Sequence, residues 1–195
     1  ANYYNNDYIL LKNTGTADVS LAGWSIQYLT SAATSTASGK TYALSGTIKA
    51  GNYYLIKGAA GSKTAQELPV AADLENTELA ISTTTDCKIA LVKTTYALSG
   101  LTNANIPTNA NIADFVGVTD CSQSLYLGTG PAPKGSATRA VTRTAYGNDN
   151  ATDWVQAATG GYPLLKAFAA TGGNGGGSTA EAGSLVGWTF GTAND

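Results

Sequence analysis

With 195 residues, a net charge of −2 and 12% charged side chains, the chain is long enough for a sizeable core and too weakly charged to neutralise a run of phosphates. Its 11 Lys and Arg are scattered, which excludes a nucleic-acid stripe, and no apolar run reaches the ~20 residues of a membrane-spanning helix. It has no histidine, so Ser-His and Cys-His catalysis and His-ligated zinc are excluded.

Ala1 to Asn6 reads as an arm or the start of a strand. Asp7 to Tyr28 then reads as strand, turn, strand. Tyr8 to Lys12 is β-prone, and Asn13, Thr14 and Gly15 are turn chemistry. From Val19 the apolar residues alternate through Leu21, Trp24, Ile26 and Tyr28, broken once at Ala22-Gly23, where a bulge fits. The expectation is a hairpin with one apolar face, which the rest of the chain must cover. Ser31 to Lys40 is a polar loop. Tyr42 to Ile48 and Tyr53 to Lys57 are expected strands, followed by a loose connection with a helical turn near Thr64 to Leu68. Leu79 to Ser82 and Lys88 to Lys93 are expected strands, and the second is apolar on both faces, which predicts a central position. Thr95 to Gly100 repeats Thr41 to Gly46 letter for letter, which predicts one strand-to-turn solution used twice. Ile112 to Val118 is a strand, and Thr138 to Arg143 alternates like an edge strand. Tyr146 to Asp153 is turn-rich, Thr171 to Ser178 is linker-like, and Ser184 to Phe190 is a compact strand-like run.

Several of these stretches resemble one family. D-Y-I-x-L-x-N-T-G-x-x-x-V-x-L-x-G-W-S, starting at Asp7, resembles the opening signature of the lamin-tail domain family. Gly51 to Ile56 (GNYYLI), Lys88 to Lys93 (KIALVK), Ile112 to Gly117 (IADFVG) and Thr138 to Trp154 resemble its later strands, in the expected order. The usual acidic residue of the first strand is Leu10 here. The resemblance implies an all-β, immunoglobulin-like β-sandwich over residues 1–160, with 161–195 as a C-terminal extension. Relatives usually begin with a strand before the D-Y-I motif, and here that leading strand is expected to be absent.

The chain has no methionine and begins at Ala1, as a cleaved secretory signal would leave it, so an extracellular or cell-surface location is expected. In such a protein Cys87 and Cys121 suit a disulfide, which would stabilise the fold by about 3–4 kcal/mol in the chain-entropy model; two buried thiols are the other reading. Asn148, Asp149, Asn150 and Asp153 offer oxygen ligands in a turn, which suits calcium through Asp149 and Asp153, although Asn and Asp also dominate ordinary turns. Asn150-Ala151-Thr152 is a glycosylation sequon. Asp73, Glu75 and Glu78 lie close together, and a solvated loop is the better reading of them than a carboxylate pair. The pairs Tyr3-Tyr4 and Tyr53-Tyr54 raise carbohydrate stacking, but strand neighbours point to opposite faces, so one of each pair belongs to the core.

In the tail, Leu185, Val186, Trp188 and Phe190 need burial. They can fold back in place of the missing leading strand or enter the equivalent groove of a neighbouring copy, and donation between copies is the favoured reading. The leading expectation is a secreted, non-enzymatic structural subunit that self-assembles at the cell surface or into extracellular fibres. An accessory module binding polysaccharide or a surface partner is the alternative.

Overall fold

The computed structural model describes residues 4–36, 40–61, 66–81, 87–136, 139–157 and 189–191, the side chains of 87 and 189–191 excepted. In chain order the elements are β1 (Asn6–Lys12), β2 (Val19–Ser20), β3 (Ser25–Thr30), β4 (Thr41–Ala43), β5 (Thr47–Ile48), β6 (Tyr53–Ala60), β7 (Leu74–Glu75), β8 (Cys87–Val92), β9 (Ile112–Gly117), β10 (Val141–Arg143), α1 (Asn150–Asp153), β11 (Trp154–Gln156) and β12 (Thr189–Gly191). A six-stranded sheet runs β11-β10-β12-β1-β6-β7 and a four-stranded sheet runs β4-β3-β8-β9, with β2-β5 as a separate pair.

The alternation along β1 shows how the layers stack. Ile9 and Leu11 point into the core between the two sheets, where they join Ile26, Tyr28, Ile56, Ile89, Leu91 and Val116. Tyr8 and Leu10 point the other way, into a second cluster with Leu55, Ala140 and Ala157. The four-stranded sheet repeats the arrangement. Leu29, Ala90, Val92 and Phe115 lie on its outer face under Leu98, Leu101, Ile106, Leu125 and Leu127. Loops therefore cover both outer faces, and strands apolar on both sides, such as β8, are interior as their sequence predicts. Each large side chain buried in this way is worth roughly 1.5–3 kcal/mol.

The expected opening hairpin does not form. β1 pairs with β6 and β12, whereas β3 pairs with β4 and β8, so the two halves of Asp7 to Tyr28 belong to opposite sheets. The chain crosses between the layers over β2 and the turn at Gly23, whose φ of +80° lies in the left-handed region that glycine adopts without strain. Leu79 to Ile81 is not a strand either. It lies across β6 and β1, with Ala59 N–H bonded to Leu79 O at 2.8 Å and Ile81 N–H bonded to the Asp7 carboxylate at 2.7 Å. The hexapeptide repeat diverges: Thr41 to Ala43 is strand, Thr95 to Gly100 is a covering loop, and the two copies share a buried leucine and a left-handed glycine, Gly46 and Gly100.

β12 lies in the sheet of its own chain, with Phe190 opposite both Ile9 of β1 and Val141 of β10. The strand expected to enter a neighbour occupies an interior position at home. It also turns β10 from the expected edge strand into an interior one. The extension 161–195 thus contributes to the same sheet as residues 1–160. Leu185, Val186 and Trp188 lie outside the described residues.

Candidate functional site

Arg143, the last residue of β10, projects into the space between the sheets and is 4% exposed. Its Nη1 donates to Asp114 Oδ2 at 2.7 Å, its Nη2 to Asp153 Oδ2 at 3.0 Å and its Nε to Ala145 O at 3.0 Å. Asp114 stands on β9 of the opposite sheet, so the guanidinium ties one layer to the other. Its flat faces are also used: the Trp154 and Tyr146 rings lie 5.3 and 5.5 Å from the guanidinium carbon. The series continues through Lys12, whose ammonium is 5.8 Å from the Tyr146 ring and 5.2 Å from that of Tyr53.

The one-turn helix α1 hangs from this node. Asp149 caps its start, accepting from Ala151 N–H at 3.0 Å and from the Thr129 hydroxyl at 2.7 Å. The Thr129 bond is the main reason its carboxyl is held below the ordinary 3.8, with burial opposing. Gly128 lies against Asp149 so closely that a Cβ would come within 2.4 Å of the Asp149 carboxyl carbon. Asn150, fully buried, works as a plug for the β9 edge: its Oδ1 accepts from Gly117 N–H at 3.0 Å and Leu127 N–H at 3.2 Å, and its Nδ2 donates to Phe115 O at 2.9 Å. The β9 edge is crowded at that point, since a Cβ on Gly117 would come within 1.7 Å of Leu125 O.

A profile of the Lamin Tail Domain family matches residues 1–120. The chain belongs to the lamin tail domain family. No curated protein and no solved structure matches it. The family fold is an immunoglobulin-like sandwich without catalytic function, and the two stacked sheets accord with it. The matched stretch spans β1 to β9, including Asp114, while Arg143, Asp153 and Trp154 follow it. In this lamin tail domain the node joins the matched strands to the segment behind them.

Asp149 and Asp153, expected as calcium ligands, have their carboxylates engaged otherwise, Asp149 as a helix cap and Asp153 as a partner of Arg143. The positive charge expected of an ion comes from a guanidinium. No group of three or more His, Cys, Asp or Glu placed to hold a metal occurs among the described residues. The sequon asparagine, Asn150, is buried and so closed to glycosylation in the fold. Asp73, Glu75 and Glu78 do not share a site. Asp73 accepts from Leu55 N–H at 2.7 Å, and Glu75 lies 3.5 Å from Lys57. Burial pushes the Asp73 carboxyl above its ordinary 3.8. Of the tyrosine pairs, Tyr4 and Tyr54 are core residues and Tyr53 is half-buried. The Cys87 backbone lies in β8, where the pairing of Lys88 with Gly117 brings it level with Val118, three residues before Cys121.

Sequence reasoning missed Lys88. It is fully buried, and its ammonium donates to three backbone carbonyls, Ser31 O at 2.7 Å, Ala33 O at 2.9 Å and Gln123 O at 2.8 Å. A lysine opening an apolar strand was the available signal. The Arg143 and Lys88 sites place no nucleophile beside a base; Arg143 answers two carboxylates, and Lys88 holds three backbone carbonyls of the loops around it.

Proposed function

We propose that the chain is a secreted, non-enzymatic structural subunit that joins copies of itself at the cell surface or in extracellular fibres by exchanging its C-terminal strand. One observation carries the reading: β12 is bonded on both edges, to β1 and to β10, yet reaches them through 158–188. A strand held by backbone pairing fits the same slot of another copy, because the slot there is identical. Fully extended, 158–188 reaches at most about 100 Å, enough to span to a neighbour. Exchange in one direction gives an open chain of subunits, and reciprocal exchange gives a closed dimer.

The polar sites support a role without catalysis, since Arg143 and Lys88 are spent on holding the sandwich together. In this reading no cofactor is needed and nucleic acid and membrane insertion play no part. A disulfide between Cys87 and Cys121 belongs to the same reading of a secreted protein. The test is negative-stain imaging and light scattering of the full chain beside a version truncated after Thr171. Fibres or large species that vanish on truncation are expected. Monomers in both samples overturn the reading.

A further inference from the structure

A cleft of about 390 Å³ opens beside the first half of β9, ahead of the stretch plugged by Asn150. Three polar residues from separate segments line it: Asn103 from the loop after β8, Asp114 from β9 and Asn148 from the turn before α1. Ile106, Pro107 and Leu127 supply apolar wall. Its size falls in the range that takes a small ligand.

The chemistry of the lining narrows the ligand. No lysine or arginine lines the cleft, so a phosphate or carboxylate finds no counter-charge there. Asp114 is the one charged residue of the lining, and its carboxylate is already engaged by Arg143 at 2.7 Å, so the cleft offers a cation a single, occupied carboxylate and makes a poor trap for it. Two carboxamides remain, each with two N–H donors and two acceptor lone pairs. Asn103 uses one of each on the protein, accepting from Tyr126 N–H at 2.9 Å and donating to Ser124 O at 3.4 Å. Asn148 is held in the left-handed region at φ 59° immediately before the capped helix, a conformation that asparagine tolerates better than most residues. Amides set beside an apolar wall match a ring that carries vicinal hydroxyls on its rim and C–H bonds on its face.

We propose that this cleft binds one or two neutral sugar residues of a polysaccharide. The site is separate from the β12 slot, and its occupancy does not depend on assembly.

The experiment is saturation-transfer NMR on the full chain, which tolerates large assemblies. The probes are glucose, galactose, N-acetylglucosamine and cellobiose, with galacturonate and methylammonium as charged comparators. Transfer to ring C–H protons of at least one neutral sugar is expected. Asn148→Gly keeps the backbone conformation while deleting the amide, and should weaken that binding about tenfold, the scale of one good hydrogen bond. The proposal is overturned by transfer to the charged comparators alone, by transfer to none of the probes, or by neutral-sugar binding that Asn148→Gly leaves unchanged.

Discussion

Arg143 sets one positive charge against two carboxylates where water is excluded. Pairing in such a place roughly offsets the cost of desolvation, so the node's value shows when it is broken, not when it is formed. Arg143→Met leaves Asp114 and Asp153 facing each other without a counter-charge, and should lower stability by about 3–5 kcal/mol, read as a fall in the urea midpoint. Adding Asp114→Asn and Asp153→Asn removes the stranded charges and should return most of the loss. A single variant as stable as the parent would show that water reaches the node. Asp73 gives the opposite case. Its folded pKa is raised by burial, so its contribution to stability is fully present below 3.8 and is lost as pH rises through the folded value. At neutral pH the charged form is a liability. Asp73→Asn keeps an acceptor for Leu55 N–H and removes the charge. Its melting temperature should exceed the parent's at pH 7 and match it near pH 3; an equal gain at both would assign the effect to something other than ionisation. The Asp149 carboxylate runs the other way, stabilising above 3.8 and losing that contribution as pH falls through its lowered value.

At the level of elements, Asn150 stands where a further strand would otherwise pair with β9. Three hydrogen bonds from one amide take up Phe115 O, Gly117 N–H and Leu127 N–H. Asn150→Ala strands those backbone groups in a buried place and should cost roughly 2–4 kcal/mol. Hydrogen exchange locates the effect: the Gly117 and Leu127 amides should exchange markedly faster than those of β3 in the variant, and uniform acceleration would mean global loosening instead. The sequence carried much of this layer. The I-x-D-x-V-G stretch was readable as a strand, and its terminal glycine is explained by Leu125 O. What periodicity could not carry was the choice of partner. It reports which face of a strand is apolar, and β1 is apolar on both, so its pairing with β6 rather than β3 had no local signal. The turn from Asn148 to Asp153, expected to suit calcium through Asp149 and Asp153, was ambiguous for a related reason. Oxygen-rich turns look alike whether their charge is answered by calcium, by backbone N–H groups or by an arginine several residues earlier in the chain.

For the molecule as a whole, the decisive feature is the slot between β1 and β10. Without β12 the six-stranded sheet falls into β11-β10 and β1-β6-β7, because no other pairing among the described residues joins them. The two pieces remain attached through the inter-sheet core and the Arg143–Asp114 bridge, so a truncated chain should stay folded but weakened, with paired-strand hydrogen bonds missing on both sides of the gap. Such a chain is a receptor for the strand it lacks. A synthetic peptide spanning Ser184 to Asp195, added to the version truncated after Thr171, should raise its melting temperature in a concentration-dependent way, as any ligand binding only the folded state does. A peptide with Pro in place of Phe190 removes an N–H at the centre of the pairing and should fail. Rescue by the first and not by the second would establish that the slot accepts the strand from another molecule. Assembly by exchange then needs no contact beyond those the single chain already makes. If neither peptide changes the melting temperature while the truncated chain remains folded, the slot closes when empty. The strand is then a fixed part of its own domain, and fibres would have to be built through some other surface.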